Sequence, residues 1–288
     1  MIHELPLERR TLHGHFSRDL PTLLTIEPGD SIAFACPNAG WRLDSGATFE
    51  PRQEKLDDGH ALIGPIDVTG AKAGRTLVVR VDEVRPGTFG ETFGQETRVI
   101  WKLDADSRTG ADDHGASVRL APFLGVMGMP PREEGIHSTS PPRTFGGNID
   151  CKELVAGTTL YLPISVDGAH FSAGDGHAAQ GDGEVSGTAI ECFVERAQLT
   201  LELSELELRS PIARTPDAWL AFGFHEDLDR AAEGAMATML DLMERELDLD
   251  RSYALALASV VVDLRVTQVV NGVKGVHAVL RDDAIRMG

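Results

Sequence analysis

Two short stretches of this 288-residue chain concentrate side chains that bind cations or move protons. One is Gly146-Gly-Asn-Ile-Asp-Cys151; the other is Gly174-Asp-Gly-His-Ala-Ala-Gln-Gly-Asp-Gly-Glu184. Asn148 and Asp150 are two residues apart, so an extended backbone directs both to the same side. Asp175 with His177, and Asp182 with Glu184, repeat that interval. Glycines at 174, 176, 181 and 183 let the backbone turn sharply and approach a ligand closely. Carboxylate, imidazole and amide oxygen together suit a divalent metal. Imidazole favours zinc or another transition ion, whereas oxygen donors favour calcium, magnesium or manganese. Gly/Asp-rich segments are also ordinary turns, because Asp and Asn hydrogen-bond their own backbone. A histidine set inside such a loop is not explained by turn chemistry, but spacing alone leaves both readings open.

Other reactive types fit less well. Cys151 is flanked by Asp150, Lys152 and Glu153, which invites a nucleophilic reading. Neighbours on a strand face opposite ways, however, and Cys151 is expected to be structural. Ser172 and Ser186 lie in no Gly-x-Ser-x-Gly elbow, so a serine triad is not expected. Glu191 is an odd number of residues from Glu184, so on one strand the two would face apart unless a bulge at Gly187 changes the register. Glu191 is therefore held as a supporting or second-metal group. His15 is a further candidate from the N-terminal strand, whereas His114 and His137 read as solvent-facing loop residues. Arg132 and Arg143 lie in the approach to the first stretch, where they could meet an acidic substrate, but surface roles are the simpler reading.

The elements that must position these groups read as β-rich. Leu77, Val79 and Val81 alternate, and Leu199, Leu201 and Leu203 alternate with an outward set of Thr200, Glu202 and Ser204. Leu160 to Val166 alternates too, with Pro163 expected at an edge or a bulge. The short spacing of strands and Gly-rich turns predicts a sandwich or barrel. The period then changes. Leu228, Ala232, Ala235, Met236, Met239, Leu242, Met243 and Leu247 recur at three and four, the apolar stripe of a helix with Glu226 and Asp227 at its start. A second helix is expected over 252–262. A final hairpin pairs 266–270 with 276–280 through Asn271-Gly272, which favours a tight primed turn. Residues 104–118 read as a loop, and 130–147, with four prolines, as an ordered connection. The fold class is thus a β-rich α+β arrangement in one domain over 1–288: β-rich 1–215, helical 226–262 and terminal strands 263–288.

Charge narrows the partners. Lys plus Arg is 27 and Asp plus Glu is 45, a net charge of −18. Such a chain is a poor binder of nucleic-acid phosphates and of anionic membranes. Residues 150–191 hold one lysine, no arginine and seven acids, so a cation is the partner they ask for. No apolar stretch reaches the length of a spanning helix. Three cysteines without CxxC spacing favour a reducing, cytoplasmic setting.

The run Gly146-Gly-Asn-Ile-Asp150, Leu160-Tyr-Leu-Pro163, Gly174 to Glu184 and Gly187-Thr-Ala-Ile-Glu191 resembles the acetamidase/formamidase family. The likeness extends to Leu24-Thr-Ile-Glu-Pro-Gly-Asp30, Gly59-His-Ala-Leu-Ile-Gly-Pro65, Gly70-Ala-Lys-Ala-Gly74, Pro122 to Gly128 and Asp263 to Val270. It therefore covers nearly the whole chain. The stretch between Cys36 and Gly59, with Trp41, departs from the family pattern and is where a different acyl pocket would be built.

The resemblance implies a β-rich fold, a homo-oligomer and a metal-dependent hydrolase that splits formamide or acetamide into acid and ammonia. It places the metal ligands and the base among Asn148, Asp150, Asp175, His177 and Glu184, with His177 the best single ligand and Glu184 the first choice for proton transfer. His60, in a position where the family also tends to have histidine, joins the metal set. Zinc is the first choice of ion, with calcium or another divalent cation as the alternative. A larger amide or carbamate as substrate, or a binding protein without turnover, are the competing readings.

Overall fold

The structure is a computed structural model that describes residues 1–53 and 55–286. Its centre is an 18-residue strand, Thr76–Phe93, in which Leu77, Val79 and Val81 face the core as their alternation predicts. This strand pairs antiparallel with Glu191–Ser204, Arg98–Asp104 and Thr159–Pro163. Leu199 and Leu201 point inward beside it. Pro163 closes its strand, where the missing amide donor costs least.

All strands join one hydrogen-bonded network, antiparallel except where Ile2–Leu5 lies along Ser31–Cys36 and Leu24–Ile26 along Leu62–Val68. The strand that matters most for chemistry is Phe171–His177. It runs between Phe123–Gly128 and Leu62–Val68, and its last residue, His177, sits opposite Glu191. Phe123, Phe171, Leu62 and Ile63 are fully buried along these strands and hold them rigid.

The C-terminal part follows the change of period. Helix α1 spans Leu228–Leu247, capped by Asp227, whose side chain accepts from the Arg230 amide. Met239, Leu242 and Met243 of its stripe are buried against Ile212, Ala221 and Val276. Helix α2 spans Arg251–Val261 and runs directly into Val262–Gln268, which pairs with Lys274–Arg281. Among the described residues no helix is long and apolar enough to cross a membrane.

Three local expectations are corrected. Residues 104–118 are not a loop: Thr109–Asp112 pairs with Arg98–Asp104 and with Ser117–Arg119. Thr200 is buried rather than outward, because its hydroxyl joins Ser31 at 2.7 Å and Asp82 at 2.5 Å. The terminal hairpin does not turn tightly at Asn271-Gly272. Its strands end at Gln268 and resume at Lys274. The buried Gln268 side chain fills that span, accepting from the amides of Val270 and Asn271 and donating to the Val273 carbonyl.

Candidate active site and metal centre

Asp175 and His177 leave the same face of the strand Phe171–His177, as their spacing suggests, but the backbone between them is not simply extended. Asp175 has φ +63°, Asp150 +52° and Glu184 +45°. Non-glycine residues avoid this region, and three together over one cavity show a backbone held in place by its surroundings. Asn148 ends the strand Gly146–Asn148, and the left-handed turn at Asp150, not a pleat, brings its carboxylate alongside. Gly125 makes room for the group. A Cβ there would lie 2.5 Å from Asp175 Oδ2 and 2.6 Å from Asp150 Oδ1.

These side chains line a cavity of about 350 Å³. All six expected metal-set residues, Asn148, Asp150, Asp175, His177, Glu184 and His60, are on its wall. Glu191 is there too. Glu184 and Glu191 do not share a strand: Glu184 lies in the turn after Asp182, and the strand begins at Glu191, so the parity argument does not apply.

His177 is the centre of the arrangement. Its Nδ1 meets Gln180 Oε1 at 3.0 Å, and Gln180 Nε2 donates to the Asp150 carbonyl at 2.7 Å. The amide orientation of Gln180 is set by that second bond, so its oxygen faces the ring and Nδ1 carries the proton. The Nε2 atom then faces Asp175 Oδ1 and Glu191 Oε1, each at 3.3 Å. Phe123 packs edge-on against the ring, centroids 5.0 Å apart. His60 bonds Thr139 Oγ1 through Nδ1 at 2.7 Å and holds Nε2 4.0 Å from Asp175 Oδ2.

The remaining polar contacts leave a surplus of acceptors. Asn148 spends its amide nitrogen on the Ser140 carbonyl, and Asp150 Oδ2 accepts from Asn271 Nδ2 at 2.6 Å. Asn148 Oδ1, Asp150 Oδ1, Asp175 Oδ1, Glu184 Oε2 and Glu191 Oε2 are buried without a hydrogen-bond partner. Buried acceptors are rarely left unpaired, and charged ones are costly to leave so. Two overlapping groups have the reach for an ion: Asp150, His177 and Glu184, and Asp175, His177 and Glu191. A divalent cation is the species such an oxygen-and-imidazole set fits.

Titration follows the same crowding. Burial, then the Glu184 charge, holds Asp150 well above the usual carboxylate range. Burial raises Glu184 to about 7; His177 opposes the rise, and the Asp175 and Glu191 charges add to it. Asp175 feels the same burial, but His177 and His60 outweigh it and bring the carboxyl down to about 2. Burial disfavours a charged His177, yet Glu191 and Asp175 hold it well above the ordinary imidazole range. The pocket therefore calls for positive charge.

Several expectations fall outside this cavity. His15 bonds the Leu56 carbonyl and does not line it. Asp182 turns away to Arg265 and Lys152, so the excess acidity of 150–191 is neutralised there by a residue from the C-terminal strands. Arg132 donates to the Ser165 carbonyl, and Arg143 to the carbonyls of Pro141 and Ser138. His137 is half-buried rather than free in solvent, its backbone paired with Phe16. Ser172 is buried against His13 Nε2 at 2.9 Å. Burial pushes the Cys151 thiol up, and Glu153 adds to the shift, which fits a structural role.

Sequence reading missed Gln180, Asn271 and a second wall of the cavity. There Asn38, Arg42 and Glu91 meet, with Glu91 buried and held by Arg98 at 2.5 Å, Arg42 at 3.2 Å and Asn38 at 3.2 Å. Asn38 and Arg42 lie in the stretch that departs from the family pattern, and Glu91 sits near the end of a long strand without a motif.

A family model described as the Acetamidase/Formamidase family matches residues 3–140 and 133–214. A formamidase of Methylophilus methylotrophus is 25% identical over 246 residues, 61% of this chain and 60% of that protein. An acetamidase of Mycolicibacterium smegmatis is 23% identical over 248 residues, 60% of this chain and 61% of that protein. The chain thus spans about three fifths of the length of these relatives. The crystal structure of an acetamidase from Bacillus halodurans superposes with a TM-score of 0.85 at 25% identity, covering 96% of this chain and 97% of that one.

Proposed function

The chain belongs to the acetamidase/formamidase family, and from that premise we propose that it hydrolyses short-chain amides with the help of a divalent cation. The observation that carries the reading is the convergence of five unpartnered buried oxygens and one imidazole nitrogen in a single cavity. Asp175, His177 through Nε2, and Glu191 are the better-built ligand group, because Nδ1 of His177 is already committed to Gln180. Zinc suits that mixture of imidazole and carboxylate, while the all-oxygen side formed by Asn148, Asp150 and Glu184 suits a harder ion such as calcium. When bound, the ion supplies Lewis acidity toward the amide carbonyl and makes water acidic enough to attack near neutral pH.

The chain's own residues do the rest. Glu184, raised toward 7, takes a proton from the attacking water and passes it to the departing nitrogen. Asp175 and Glu191 keep Glu184 protonatable through like-charge crowding, while Asn271 anchors Asp150 beside it. His60 and Asn148 line the cavity and orient the amide. The wall of Asn38, Arg42 and Glu91 bounds the acyl side, and the presence of Arg42 there favours, as a second reading, a larger amide or carbamate.

Homo-oligomer formation and a cytoplasmic setting belong to the same proposal. The exposed Val260 and Leu264 support the first, and the free, buried Cys36, Cys151 and Cys192 support the second. The test is ammonia release from formamide, acetamide and a panel of longer amides and carbamates, before and after chelation and with zinc added back. Turnover that ignores chelation, or a protein that releases no ammonia from any of them, overturns the reading.

A further inference from the structure

A second convergence of metal-binding groups lies outside the cavity just described. Cys151, Glu153 and His277 bring a thiol, a carboxylate and an imidazole within 4.8 Å of one another. Cys151 and His277 are fully buried. Cys151 Sγ is 3.2 Å from Glu153 Oε2, and His277 Nε2 is 3.6 Å from the same oxygen. Bond lengths of about 2.0–2.3 Å in a tetrahedral zinc site place ligand atoms roughly 3.3–3.8 Å apart. The two separations to Glu153 Oε2 already stand near that spacing.

Each ligand is also oriented from behind. His277 Nδ1 is paired with Thr267 Oγ1 at 2.8 Å, which leaves Nε2 as the ring's free position. That Nε2 is buried without any hydrogen-bond partner. Arg265 Nη1 holds Glu153 Oε1 at 2.5 Å, so only Oε2 turns toward the cluster. Such outer contacts set tautomer and orientation in metal sites. With Nδ1 as donor to Thr267, the Nε2 lone pair faces a carboxylate oxygen, an arrangement that a cation between them resolves.

We propose that Cys151, Glu153 and His277 form a structural site for zinc or a similar thiophilic ion. Cys151 and Glu153 follow the strand that carries Asn148, while His277 lies on the last strand of the C-terminal hairpin. An ion here cross-links the two. The same hairpin supplies Asn271 to Asp150, so the ion keeps the hairpin in register with the cavity. Only this cluster places a thiol among the ligand groups found in the described residues.

The thiol makes the test specific. The full chain is stripped with a chelator and titrated with cobalt(II), and near-ultraviolet thiolate-to-cobalt charge transfer is recorded. The wild type develops the band. Cys151→Ser loses it together with about one equivalent of bound cobalt. His277→Cys, which adds a second thiolate, strengthens it and remains informative if Cys151→Ser does not fold. No band in the wild type, a band that survives Cys151→Ser, or one unchanged by His277→Cys overturns the site.

Discussion

The Gln180 side chain decides which nitrogen of His177 faces the acids. Its amide nitrogen is drawn to the Asp150 carbonyl at 2.7 Å, so its oxygen is left for His177 Nδ1 at 3.0 Å. One glutamine thereby ties the segment bearing Asp150 to the strand bearing His177, and leaves Nε2 for the pair Asp175 and Glu191.

Gln180→Leu removes both bonds and frees the ring to change tautomer. Loss of such an orienting partner lowers metal affinity by about 10- to 100-fold. Zinc affinity measured by competition with a chromophoric chelator is the check. Unchanged affinity would mean that the ring is held by packing alone, chiefly by Phe123.

Glu184→Gln keeps size and polarity but cannot carry the proton. Turnover falls by about 10²–10⁴-fold while zinc held by Asp175, His177 and Glu191 stays at the wild-type level. In the wild type the rate rises with pH as Glu184 ionises. Without a cation that carboxyl is raised to about 7, and bound positive charge moves it down, so the acidic limb lies below 7. An acidic limb that persists unmoved in Glu184→Gln would assign the proton to another group.

Gly125→Ala tests the space between the carboxylates. The added Cβ would approach Asp175 and Asp150 oxygens to 2.5 and 2.6 Å. Metal binding and ammonia release should both be lost, with secondary structure retained by circular dichroism. Retention of both activities would show that the backbone can yield at this point.

Stability should fall in mild acid through His13. Burial lowers its pKa from 6.5 to about 3, so the folded state resists the proton that the unfolded chain accepts. The stability it contributes is complete above 6.5 and is lost as pH falls from there toward 3, by about 1.4 kcal/mol per pH unit. His13→Gln should flatten that slope in denaturant titrations between pH 6 and 4. An unaltered slope would place the acid sensitivity elsewhere.

Periodicity was enough to reveal α1 and the strands around Leu77–Val81 and Leu199–Leu201, because each buries one face and its sequence must repeat at the matching interval. It placed Thr200 outward, whereas its burial depends on Ser31 and Asp82 from distant strands. It also misplaced Asn271, whose Asn-Gly pair suggested a turn while the buried Gln268 side chain reshaped the span from 269 to 273.

The candidate site divides along the same line. Residue type and spacing alone marked the two stretches that hold Asn148, Asp150, Asp175, His177, Asp182 and Glu184 and left turn and cation readings both open; the family resemblance chose among them. Which atoms meet was decided by tertiary structure. Three left-handed backbones, the pairing of His177 with Glu191, and the reach of Asn271 across 121 residues set the geometry of the cavity's polar side chains. A local sequence encodes the chemistry of its side chains and the period of its own element. It does not encode the distances between segments, which arise only when separate strands exclude water from one shared core.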